Sequence, residues 1–73
     1  MSAAPGPVRV RVNGDDRTVP SGATVADLVS ELGLEPRGIA VAVDGEVVTR
    51  RRWEGHRLAT GDQVEVLTIA QGG

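Results

Sequence analysis

The feature that most limits the fold is a change of hydrophobic period near Thr24. Before it, Val8, Val10 and Val12 alternate with Arg9 and Arg11, the period-two pattern of a strand with one buried face. After it, Val25, Leu28, Val29 and Leu32 fall at offsets of three, four and seven, which puts them on one face of an amphipathic helix. Thr24 suits the N-cap, and Asp27, three residues on, can return a hydrogen bond and complement the positive helix end. Gly33 suits the left-handed position beyond the helix, with Leu34 placed for the hydrophobic closure. Residues 39–43 (IAVAV) then read as a central strand, covered on both faces or covered on one and flat on the other. A chain holding both periods must pack a helix on a sheet.

Turn signals set the connections. Asn13-Gly14 is a strong hairpin signal, because both residues tolerate positive φ, and it leads through Asp15-Asp16 into a short strand over residues 17–19. Pro20, Ser21 and Gly22 end that strand, and Asp44-Gly45 turns the central strand toward Val47-Val48. Residues 50–57 read as a polar, irregular stretch around Trp53. Thr60-Gly61-Asp62 then turns into the last strand, residues 63–69. Residues 1–7 (MSAAPGP) lack periodicity and read as a disordered extension, residues 8–69 as one folded domain and residues 70–73 as a flexible tail.

At 73 residues there is room for one domain only. Val, Ile and Leu number 19, twelve of them Val, which favours a pleated surface. Hairpin, helix, central strand, short strand, loop and last strand follow in that order. Crossing the helix over one face of a mixed sheet buries Val8, Val10, Val12, Val41, Val43, Val64 and Val66 with the helix stripe. This α+β arrangement resembles the β-grasp (ubiquitin-like) plan, a mixed sheet of about four to five strands with one main helix on one face.

The same composition excludes several chemistries. With no Cys there is no disulfide, thiolate nucleophile, zinc knuckle or iron–sulfur cluster. All eight basic residues are Arg, so neither a Schiff base nor a Lys-centred phosphate loop is available. No metal site is expected. A net charge of −2 argues against a general nucleic-acid binder. No apolar run approaches the roughly 18 residues of a membrane span, and the start lacks the plan of a signal peptide, so a cytoplasmic protein with no membrane contact is expected. One His and three Ser make a poor self-sufficient enzyme, and catalysis is expected to belong to partners.

The chain ends Ile69-Ala70-Gln71-Gly72-Gly73, without a charged side chain in those five residues. Gly72 and Gly73 can extend into a narrow channel where a larger residue would clash, so the reactive group would be the main-chain carboxylate itself. Such a carboxylate can be activated by ATP as an acyl adenylate on a second enzyme, which supplies the nucleophile, metal and electrostatic stabilisation. A terminal Gly-Gly alone is commonly just a loose chain end. The element order, with a strand running directly into it, favours the reactive reading.

Over residues 8–73 the chain resembles the ThiS family, the bacterial sulfur carriers of thiamin-thiazole biosynthesis. The likeness is carried by VNG near the start, the helix stripe, the run IAVAVDGEVVTRRRW and the ending GDQVEVLTIAQGG. It implies that an E1-like adenylating enzyme (ThiF-like) activates Gly73 with ATP and that a cysteine desulfurase supplies sulfur for a Gly73 thiocarboxylate. Thiazole synthase (ThiG-like) would then take the sulfur. Gly72 is the flexible spacer, and the carrier binds no cofactor of its own. Two departures are the seven-residue extension and Asp44, where Asn is expected before the Gly. Molybdopterin synthase small subunits also end in Gly-Gly, but with a tail richer in Pro and Phe. A non-carrier β-grasp binding module and a protein conjugator remain as further readings.

Alternation in the last strand puts Val64, Val66 and Thr68 on one face and Glu65, Leu67 and Ile69 on the other. If the valines face the helix, Leu67 and Ile69 share the open face with Ala40 and Ala42, forming a flat apolar patch suited to docking the activating enzyme and the synthase. Ala70 and Gln71 would line the partner's entry channel. Arg50, Arg51, Arg52 and Arg57 read as a mainly solvated basic cluster, with an acidic partner surface as the second reading. Trp53 reads as a plug at the sheet edge with its indole N–H bonded to a carbonyl, and His56 is assigned no role.

Overall fold

The computed structural model describes residues 6–69. Five strands form one mixed sheet: β1 Val8–Val12, β2 Asp15–Val19, β3 Ile39–Val43, β4 Glu46–Val48 and β5 Gln63–Thr68, in spatial order β2-β1-β5-β3-β4. One helix, α1 Val25–Leu32, covers one face. The expected β-grasp architecture is present, with five strands, the upper end of the expected four to five.

Both hairpins turn through two residues at positive φ, Asn13 (50°) with Gly14 (87°) and Asp44 (51°) with Gly45 (86°), the signature of the turn type that matches strand twist. The first turn is tighter than expected. Val12 pairs directly with Asp15, so Asp15 and Asp16 belong to β2 and not to a lead-in before residue 17. Arg11 Nε reaches Asp16 Oδ1 at 3.3 Å across this ladder, which gives the aspartates a place in the strand.

At the start of α1, Thr24 and Asp27 form a reciprocal capping box. The Asp27 N–H donates to Thr24 Oγ1 at 3.2 Å, and the Thr24 N–H donates to Asp27 Oδ2 at 2.9 Å. At the other end Gly33 is left-handed (φ 71°), the Gly33 N–H bonds Ser30 O and the Leu34 N–H bonds Val29 O. The closure rests on these backbone bonds, since the Leu34 side chain stays exposed.

Val25, Leu28 and Val29 of α1 are buried against Val10, Val12, Val41, Val43 and Val64, while Leu32, Val8 and Val66 pack at the margin. Among the described residues no polar or charged residue is buried. Residues 50–57 differ from the expected irregular loop: Arg50–Gly55 forms a 3-10 helix. Its cause is Trp53, 5% exposed, whose indole N–H donates to Val48 O at 2.8 Å and ties the segment to the edge strand β4. A second 3-10 turn, Pro36–Gly38, leads into β3 and was not legible in the sequence pattern. Of the expected extension, Gly6 and Pro7 are exposed and without regular structure, and residues 1–5 lie outside the described residues.

Trp53→Ala is expected to cost about 3–5 kcal/mol, and Trp53→Phe, which keeps most of the packing but leaves Val48 O unpaired, about 1–3 kcal/mol. Urea denaturation of the three chains measures both.

Candidate functional site

The expected reactive group sits beyond β5, so the site is built from what holds that strand. β5 pairs with β1 in parallel and with β3 antiparallel. Along β1 the Arg11 N–H donates to Asp62 O at 3.0 Å and the Asn13 N–H to Val64 O at 2.9 Å. At Asn13 the chain turns away into its hairpin, and the backbone of β1 has nothing further to offer. The Asn13 side chain continues the ladder instead: its amide donates to Val66 O at 3.2 Å and its carbonyl accepts from the Val66 N–H at 2.9 Å. A primary amide presents the same donor and acceptor as a peptide unit, which is why Asn serves here. Asp44 does similar work at the start of β5, accepting from the Gln63 N–H at 2.9 Å through Oδ1 and donating its own N–H to Gln63 O at 2.8 Å. Past the strand, the Ile69 N–H donates to Gly38 O at 2.8 Å. The chain is therefore fastened up to the last residue before Ala70.

The register of β5 on β3 decides which residues share the uncovered face. Ala40 pairs with Leu67, and Ala42 pairs with Glu65 on one side and Val47 on the other. Leu67 is 60% exposed and Ile69 44%, with Ala40 and Ala42 half-buried between strands. The arrangement expected from alternation is present, and the 50–57 segment does not cover it. Val47, 72% exposed, belongs to the same face, and the sequence reading did not single it out. Its signal was available: a two-residue turn at Asp44-Gly45 fixes Val47 opposite Ala42 and sends Val48 into the core. Toward β1 and β2 the face becomes polar, with Arg9, Arg11, Asp16 and Thr18 exposed. Gly72, Gly73, Ala70 and Gln71, the residues expected to react and to enter a partner's channel, lie outside the described residues. Among the described residues no group of His, Cys, Asp and Glu side chains is placed to hold a metal ion, and no helix is long and apolar enough to cross a membrane.

The sequence model of the ThiS family matches residues 10–73. The chain belongs to the ThiS family. Among its relatives, the sulfur carrier protein ThiS of Thermus thermophilus is 34% identical over 64 residues, 88% of this chain and 98% of that protein. The crystal structure of the thiamine biosynthesis protein ThiS from Geobacter metallireducens superimposes with a TM-score of 0.79 at 30% identity, covering 90% of this chain and all of that one. A thiazole synthase of Paramagnetospirillum magneticum is 29% identical over 66 residues, which are 90% of this chain but only 20% of the enzyme. This ThiS-family chain is thus a small sulfur carrier in type, and its last four residues follow a strand held on both sides.

Leu67→Asp and Val47→Asp are expected to change folding stability by no more than about 0.5 kcal/mol, whereas Val64→Asp, which buries a charge in the core, prevents folding. Asn13→Ala costs about 1 kcal/mol and speeds amide exchange at Val66 and Ile69 while Val10 stays protected. Urea melts and residue-resolved hydrogen exchange check the two statements.

Proposed function

We propose that this chain carries sulfur as a thiocarboxylate on Gly73 and delivers it to a thiazole synthase in thiamin biosynthesis. The observation that carries the proposal is the match to the ThiS family through residue 73, the second of the two terminal glycines. An E1-like adenylating enzyme transfers AMP from ATP to the Gly73 carboxylate, releasing pyrophosphate. Persulfide sulfur originating at a cysteine desulfurase then displaces AMP, which leaves with one carboxylate oxygen, and a thiol reductant cleaves the resulting acyl disulfide to leave the thiocarboxylate. The carrier contributes no catalytic side chain and no bound cofactor. It supplies an unhindered acyl group and a surface by which the enzymes find it.

That surface is the apolar patch of Leu67, Ile69, Val47, Ala40 and Ala42. Small residues in β3 keep it flat, and its position beside the strand that leads to the tail lets one docking event place Gly73 in a channel. Ala70 and Gln71 span the distance, and Gly72 lets the terminus pass where a Cβ would clash. The thiazole synthase of Paramagnetospirillum magneticum has a segment similar to this chain within its own polypeptide, which supports a physical partnership between carrier and synthase. These reactions place the chain in the cytoplasm.

Intact-protein mass spectrometry after incubation with the activating enzyme, ATP and a sulfur source is expected to show one oxygen replaced by sulfur, localised to Gly73. A chain lacking Gly73 folds normally and gains nothing. Retained thiazole formation by the truncated chain would overturn the proposal.

A further inference from the structure

The antiparallel ladder of β3 and β5 has two unlike ends. In such a ladder every second pair of opposite residues exchanges two bonds, one N–H to C=O in each direction. The register that sets Val43 opposite Val64 and Ile39 opposite Thr68 continues to Asp44 opposite Gln63 and to Gly38 opposite Ile69. The backbone bonds at Asp44 and Ile69 show that both ends fall on exchanging positions. At the first end the exchange is complete: the Asp44 N–H donates to Gln63 O at 2.8 Å, and Asp44 Oδ1 accepts from the Gln63 N–H at 2.9 Å. At the second it is half made. The Ile69 N–H donates to Gly38 O at 2.8 Å, but the Gly38 N–H donates to Glu35 O at 3.1 Å, inside the 3-10 turn Pro36–Gly38.

In the same register the next exchanging position sets Pro36 opposite Gln71, and proline has no N–H to give. The two residues that would carry the ladder into the last four are thus a glycine whose donor is used elsewhere and a proline that has none. The sequence of β5 does not itself end the strand, because neither Gly nor Pro occurs from Gln63 to Gln71. On the other flank β1 has already turned away at Asn13. The ladder stops because its partner stops. A Cβ at Gly38 would meet no other atom within 4 Å, so a close approach is not what calls for glycine there.

Building on the carrier reading above, we infer that Pro36 and Gly38 are positioning residues for sulfur transfer: they end the ladder at Ile69 and so leave residues 70–73 to the enzymes that act on Gly73. Neither touches the reacting atoms, and both act through the tail. Four extended residues reach about 13 Å. A ladder running on to Gln71 would leave only Gly72 and Gly73, with a reach of about 7 Å. An enzyme would then have to strip two residues from the sheet before it received the terminus, which lowers the fraction of docked carrier in the reactive arrangement. Docking itself would be unchanged, since Leu67 and Val47 keep their places on the open face.

The test compares the full chain with Pro36→Val/Gly38→Val, which restores the missing N–H and favours an extended backbone. Residue-resolved amide exchange at Gln71 is expected to be as fast as in an unstructured chain for the wild type and slower by about tenfold or more for the double variant. With the activating enzyme and ATP, the double variant is expected to lose about tenfold in kcat for pyrophosphate release while KM stays within about twofold, because docking is kept and only delivery of the terminus is impeded. Gly38→Val alone retains Pro36 and matches the wild type in both readouts. If the double variant does not fold, Pro36→Val alone takes its place, with smaller changes in the same directions. Protection of Gln71 in the wild type overturns the inference without recourse to any variant. So does a folded double variant that leaves Gln71 unprotected, that protects it yet reacts at the wild-type kcat, or that raises KM alone. If Gln71 exchanges as expected in both chains but the wild type never acquires sulfur on Gly73, the carrier reading falls and the ladder-ending role of the turn stands.

Discussion

The sheet exists as one body only because β5 joins two hairpins. β1 with β2 and β3 with β4 are each local pairs, closed by two-residue turns, and β5 lies between them with a parallel partner on one side and an antiparallel one on the other. An isolated hairpin is marginal in water, so neither half holds its shape until the last strand is in place. Val64 of β5 is almost fully buried among Val12, Val43 and the helix stripe, so the same strand that completes the hydrogen bonding also completes the core.

The turns serve this joint twice. Asn13 and Asp44 each open a hairpin at positive φ, and each then uses its side chain on β5, Asn13 at Val66 and Asp44 at Gln63. A turn residue chosen for conformation thus becomes a hydrogen-bonding partner for a strand some 50 residues distant in the case of Asn13. The strand leading to the last residues of the chain is in consequence held along its length. An anchored strand followed by a tail ending in two glycines is a sound arrangement for a carrier, since a fixed docking surface sets where the terminus starts.

One helix of eight residues can cover one face of a five-stranded sheet and no more. Trp53 and Leu58 extend the cover toward the β4 edge, and the opposite face is left to whatever residues alternation places there. On β3 and β4 these are Ala40, Ala42 and Val47, on β5 Leu67 toward its end and Gln63 and Glu65 toward its start, and on β1 and β2 they are charged or hydroxylic. The uncovered face is therefore apolar around Ala40, Ala42, Val47 and Leu67 and polar from Glu65 and Gln63 across to β1 and β2, without any element devoted to binding.

The sequence by itself determined the order of the strands and the α-helix, the helix caps at Thr24 and Gly33, both hairpin turns and the open-face position of Leu67 and Ile69. All of these follow from local periodicity or from the φ range of one residue, which neighbouring positions suffice to reveal. The entry of Asp15 and Asp16 into β2, the 3-10 helix around Trp53, the membership of Val47 in the patch and the clamp of Asn13 on Val66 were decided by the tertiary structure. Each depends on a partner distant in sequence or on the register of a pair. Asn13 is the clearest case: its preference for positive φ fully accounts for an Asn before Gly14, so nothing in the local sequence points to the second function its amide performs once β5 arrives.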